Sequence, residues 1–188
     1  MQLARKAWID NQSQLAISTL VFIDETGAST NMSRRYGRAV KGKRCIASVP
    51  HGHWKTTTFI AGLRHDKITA PMVLDGPMTG DAFQIYIERF LCPTLKPGDI
   101  VIADNLRSHK VSGIRSAIEA VGARLLYLPP YSPDLNPIEK CFSKFKALLR
   151  KTAARTVESL WNAIKEILNV FTPEECSNYF QSCGYVNT

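Results

Sequence analysis

The stretch "IVIAD" (100–104) restricts the fold of this chain more than any other. It follows the turn-forming "KPGD", and its four consecutive apolar residues read as a short strand that needs cover on both faces. A second stretch has the same form: "LVFID" (20–24) is apolar until it, too, closes on an aspartate. Asp24 and Asp104 thus stand where buried backbone meets the surface, the place where ligand and catalytic groups gather in open α/β sheets. Taken singly, each also reads as a turn-initiating Asp.

The remaining elements follow from periodicity. "KTTTFIAGLR" (55–64) and "KITAPMVLDG" (67–76) are strand-like and separated by a polar turn, so the early strands pair partly antiparallel. "TGDAFQIYIERFL" (79–91) has helical spacing, with Phe83, Ile87 and Phe90 on one side, and stops at Pro93. Residues 111–121 read as a helix closed by Gly122, and "ARLLYLPP" as a last short strand. From Ile138 the pattern is helical to about residue 183, broken near Thr156 and at "TPEE". Strands first, then strand–helix alternation, then terminal helices give an α/β class: a mixed sheet flanked by helices, with C-terminal helices. Residues 1–18 read as a lead-in segment and 19–188 as one domain.

Between the last strand and the terminal helices lies "LPPYSPDLNPIEK", with four prolines in nine positions and a glutamate in the first turn of the helix that follows. Local physics gives one account: Asn136 as N-cap, Pro137 at the first helical position, and Glu139 reaching back as in a capping box. A second account is that the rigid turn aims Glu139 back at the two strand ends. Other acids fit structural roles better: Asp99 lies in a Pro-Gly-Asp turn, Asp81 in a first helical turn, and Glu25 on the face opposite Asp24 if the strand continues.

The chain has 24 Lys and Arg against 16 Asp and Glu, and the excess falls in two clusters. "RRYGRAVKGKR" (34–44) contributes Arg34, Arg35, Arg38, Lys41, Lys43 and Arg44; residues 140–155 contribute Lys140, Lys144, Lys146, Arg150, Lys151 and Arg155 with no acid among them. Two such clusters in one small domain favour a nucleic-acid partner. On the helical wheel Ser143, Lys146 and Arg150 share a stripe with Glu139, beside an apolar face of Ile138, Phe142, Phe145 and Leu149. Five cysteines without a CxxC pair signal neither a disulfide framework nor a zinc knuckle. No stretch has the length of a membrane span and the start lacks a signal-peptide core, so the chain reads as cytoplasmic. His51 and His53 have metal-ligand spacing but no nearby Cys or acid, and read as a polar turn. Tyr36 and Trp54 have the chemistry to stack on bases but read as packing residues, as does "SLWNAIKEIL" (159–168).

"FIDET", "IADNLRSHK" and "LLYLPPYSPDLNPIEKCFSKFK", with 34 residues between Asp104 and Glu139, together resemble the DDE catalytic domain of insertion-sequence transposases of the mariner superfamily. The resemblance runs from about Leu20 to Tyr185. It implies a ribonuclease-H-like fold and a catalytic, metal-binding triad of Asp24, Asp104 and Glu139, with Asn105 and His109 as candidates to orient water or contact phosphate. It implies two Mg²⁺ ions, with Mn²⁺ as substitute, about 3.5 to 4 Å apart, and strand transfer to a TA target. It further implies as partners double-stranded DNA at transposon ends and target and a second copy of the chain, and as setting the bacterial nucleoid. Members usually carry helix-turn-helix modules ahead of this domain, and the roughly twenty residues before the first strand hold no such module. Two other readings share the triad or the charge: a general ribonuclease-H-like nuclease, and a DNA-binding remnant or regulator without catalysis.

Overall fold

The computed structural model describes residues 2–105 and 113–186. Its framework is a five-stranded sheet of β1 (Leu20–Ser29), β2 (Thr56–Leu63), β3 (Ile68–Asp75), β4 (Ile100–Ala103) and β5 (Arg124–Tyr127), in the order β3-β2-β1-β4-β5. β3, β2 and β1 are antiparallel neighbours, whereas β1, β4 and β5 run parallel. The mixed sheet expected from the order of elements is therefore present, with its parallel part at the strands that alternate with helices.

Strand parity assigns each side chain to a layer. Leu20 and Phe22 of β1 and Ile100 and Ile102 of β4 face one core, packed by α4 (Pro137–Thr152), α5 (Val157–Leu168) and α6 (Pro173–Gln181). Val21, Ile23, Val101 and Ala103 face the other, packed by α2 (Gly80–Tyr86) and α3 (Ile114–Ala120). Cover on both faces is what the continuous apolar runs demanded. Phe59 stacks on Phe145 with ring centroids 4.6 Å apart, fixing α4 across the sheet. α4 buries Ile138, Phe142, Phe145 and Leu149, the face expected from its spacing.

Three expectations need correction. β1 does not close at Asp24 but continues to Ser29, because β2 pairs with it as far as Ser29↔Thr56. The strand that ends is its parallel neighbour β4, last paired at Phe22↔Ile102. Secondly, a wide π turn (Ile87–Leu91) follows α2 and rotates the helix face by one residue. Leu91 is buried in place of Phe90, which is 40% exposed. Thirdly, the lead-in segment contains α1 (Gln2–Gln12), which is bound to the domain. Arg5 pairs with Asp134 at 2.8 and 2.9 Å, and Gln12 Nε2 donates to the Cys183 carbonyl at 2.6 Å. Trp8 Nε1 donates to Tyr185 Oη, which donates to the Leu135 carbonyl, each at 3.0 Å. α1 thereby braces the proline turn ahead of α4.

Candidate active site

Asp24 shares its strand face with Leu20 and Phe22, so it lies on the α4 side of the sheet. The register Phe22↔Ile102 carries it to the level just beyond β4, where Asp104 follows Ala103. Glu139 occupies the first turn of α4, which begins at Pro137 after the turn Pro133–Leu135. These three carboxylates open onto one cavity of about 510 Å³, whose wall is completed by Asn105, Asn136 and residues 128–133. Of the two secondary candidates, Asn105 thus lines the site, while His109 lies outside the described residues.

The carboxylates differ in environment. Asp24 is only 7% exposed, half-exposed Asp104 sits at the rim, and Glu139 is exposed. Burial, and then the neighbouring charge of Glu139, push the Asp24 carboxyl up to about 8. Two donors hold it: Glu25 N–H to Oδ1 at 2.8 Å and Asn136 Nδ2 to Oδ2 at 3.0 Å. Among the described residues, no three His, Cys, Asp or Glu side chains form a closed ligand cluster. Asp24, Asp104 and Glu139 therefore share a cavity wall without forming such a cluster.

The donor set fits a hard divalent cation. All candidate ligands are oxygens, as Mg²⁺ and Mn²⁺ require. The Asn136 Oδ1, buried beside Asp24, has no hydrogen-bond partner among the described residues. Asp24's raised pKa is the cost of placing negative charge there, a cost that a cation reverses.

Asn136 is the site residue that sequence reasoning missed. It occupies the N-cap position of α4, but its side chain makes no capping bond, and no capping box forms with Glu139. The Asn-Pro signal is the same whether the amide turns to the helix or to the sheet, so only the tertiary contact distinguishes them. Tyr131 was missed as well: it is 82% exposed on the cavity wall and has a left-handed backbone, φ 54°. The flanking Pro130 and Pro133 were its only sequence signal.

The two basic clusters meet in part. Arg35 joins Lys146 and Arg150 around a groove of about 390 Å³, and Arg34, Arg35, Arg150 and Lys151 line an adjoining one. Arg38, Lys41, Lys43 and Arg44 are exposed on the irregular segment between β1 and β2 and line neither groove. Lys140 and Lys144, counted in the second basic cluster, are engaged with protein groups. Lys140 donates to the Ser182 carbonyl at 3.0 Å and its hydroxyl at 2.7 Å. Lys144 pairs with Glu175 at 2.5 and 2.6 Å, over the Phe171 ring. Both hold α6 to α4, and the Lys144 ammonium lowers the Glu175 pKa. Arg155 likewise donates to the carbonyls of Thr30 and Met32. His51 and His53 are exposed on the same irregular segment, as are Tyr36 and Trp54, which therefore do not pack as expected.

The family model for "DDE superfamily endonuclease" matches residues 19–169. Among solved structures, the Mos1 transposase paired-end complex with left transposon end superposes with a TM-score of 0.77 at 18% identity, over 96% of this chain and 57% of that one. The mariner Mos1 paired-end complex with Mg gives 0.72 at 18% identity, over 97% and 56%. The isolated catalytic domain of Mos1 mariner transposase gives 0.69 at 16% identity, over 97% and 84%. The chain thus spans a little over half the length of the Mos1 chains in the DNA complexes. No curated protein sequence matches it. With three carboxylates on one cavity of a mixed sheet that shares the ribonuclease-H-like fold of the Mos1 catalytic domain, this chain belongs to the DDE superfamily endonucleases.

Proposed function

We propose that this chain is the catalytic domain of a mariner-type DNA transposase, cutting phosphodiesters at element ends and joining 3′ hydroxyls to target DNA. The observation that carries the reading is the meeting of Asp24, Asp104 and Glu139, from three separate elements, on one cavity. These three are the catalytic residues and the holders of two Mg²⁺ ions, for which Mn²⁺ substitutes. Bound divalent ions supply stabilisation of the attacking and leaving oxygens and of the phosphate charge.

The chain's own residues do the rest. Asp24 is held from two sides and provides the fixed, buried carboxylate. Asp104 and Glu139, at the more open rim, complete the donor set. Arg35, Lys146 and Arg150 line the neighbouring groove and neutralise backbone phosphates leading into the cavity. Asn105, on the cavity wall, contacts substrate phosphate or water, and His109 is assigned the same role. Residues 19–188 form the catalytic unit, acting as a homodimer on bacterial nucleoid DNA. The five free thiols suit a reducing compartment, and no described helix is long and apolar enough to cross a membrane.

The test supplies the chain with pre-cleaved DNA ends and a target duplex. The reading expects joined products with Mg²⁺ or Mn²⁺, none with EDTA, and none from Asp104→Asn. Metal-dependent hydrolysis without any joining would favour a general nuclease, and DNA binding without turnover a regulator.

A further inference from the structure

We infer that Asn136 is a positioning residue of the site: its amide fixes the orientation of the Asp24 carboxylate, and its Oδ1 accepts a hydrogen bond from a water of the loaded site. The inference rests on the reading of Asp24 as a metal-holding carboxylate. It concerns a residue outside the acidic triad, at a position where sequence alone suggests only a helix cap.

The first argument is what Asn136 does not do. An N-cap Asn ordinarily turns its side-chain oxygen to the N–H of the second or third helical residue. The caps of α5 and α6 behave in this way: Thr156 accepts from Ser159 N–H and Thr172 from Glu175 N–H, both within capping boxes. At α4 the Glu139 N–H is taken instead by the Asn136 backbone carbonyl, at 3.2 Å. The side chain is thereby released from the helix.

The second argument is where it goes. Asn136 is 3% exposed, and its backbone is held on both sides, by its own N–H to the Pro133 carbonyl at 3.1 Å and by Pro137. From that position Nδ2 reaches Asp24 Oδ2 at 3.0 Å, across 112 residues of sequence. With Glu25 N–H on Oδ1, the carboxylate has one donor on each oxygen and lone pairs left for the cavity. Hydrogen-bonded partners that orient a ligating carboxylate are worth 10- to 100-fold in metal affinity. The third argument is Oδ1, buried without a partner among the described residues, on a side chain whose residue lines the same cavity. An acceptor withheld from water and from the helix is costly unless something in the working site donates to it.

Asn136→Ser separates positioning from capping, since Ser caps as well as Asn but is too short to reach Asp24. Mn²⁺ binding by the full chain, measured by calorimetry, should weaken at least 10-fold while Tm stays within about 3 °C of the parent. Unchanged Mn²⁺ affinity in this variant overturns the inference while leaving the triad reading intact. A parent chain that binds no Mn²⁺, or an Asp24→Asn variant that binds it as well as the parent, overturns both. A second measurement needs no variant. In a Mg²⁺ titration followed by nuclear magnetic resonance, the Asn136 side-chain amide signals should shift along the same binding curve as the main-chain amide of Glu25. Signals that stay fixed while Glu25 moves overturn the inference, whatever the Ser variant does.

Discussion

Replacing Asp24 by Asn should make the metal-free protein more stable, although it removes a central residue of the proposed chemistry. Asp24 is buried, close to Glu139 and Asp104, and its carboxyl stands at about 8 instead of 3.8. The folded chain therefore keeps a proton that the unfolded chain releases, so this group's contribution to stability falls as pH rises from about 4 to about 8. At 1.36 kcal/mol per pH unit the ceiling is about 6 kcal/mol, and relaxation and water entry at an open cavity leave about 2 kcal/mol at pH 8. Asn retains an acceptor for the Glu25 N–H, and a flip of the Asn136 amide pairs it with the new side chain. Asp24→Asn in EDTA should then melt about 4–8 °C above the parent at pH 8, with the gap closing toward pH 4. Divalent cation at 100 times its Kd stabilises the parent by about 2.7 kcal/mol and should close the gap at pH 8 as well. Calorimetric melting at two pH values, with and without Mn²⁺, reads all of this. A variant less stable than the parent at pH 8 in EDTA, or a gap independent of pH, refutes the argument.

Asp99→Asn should cost about 3 kcal/mol in urea unfolding, because it leaves the Arg64 guanidinium, whose side chain is 9% exposed, buried without its counter-charge; a loss under about 1 kcal/mol would contradict this. Removing Lys146 and Arg150 together should lower the salt dependence of duplex binding by about one to two charges. Removing Lys140 and Lys144 should leave that slope unchanged and lower stability, since both are engaged with α6. Tyr131→Gly should raise stability by about 1 kcal/mol by relieving the left-handed backbone, yet weaken binding to unpaired DNA ends through loss of the exposed ring; unchanged end binding would remove Tyr131 from the site.

The sheet and its helical layers were legible because continuous apolar runs and 3.6-residue spacing report burial directly, as at "IVIAD" and on the inner face of α4. What could not be read were features decided by distant partners. β1 passes Asp24 because β2 pairs with its polar second half, "ETGAS", which carries no apolar run to announce a strand. Lys140 and Lys144 lie on the polar side of α4 by the wheel, but the wheel does not know that Ser182 and Glu175 arrive there. α1 is too weakly amphipathic to announce a docking face, and its ties to Asp134, Cys183 and Tyr185 span more than 120 residues. At Asn136 the sequence signal was present and its meaning was the wrong one of two. The same Asn-Pro-x-Glu pattern that specifies a cap here supplies a hydrogen bond to the sheet.

The central claim, that Glu139 is a working carboxylate and not a helix-starting residue, is tested most directly by assaying Glu139→Gln for 3′-hydroxyl strand transfer beside its Tm. Glu139 makes no capping box, so Gln should leave Tm within about 3 °C. The account predicts at least a 100-fold loss of joining, on the order expected when a charged catalytic group is neutralised, with non-specific DNA binding retained. Full joining activity in the Gln variant would contradict it.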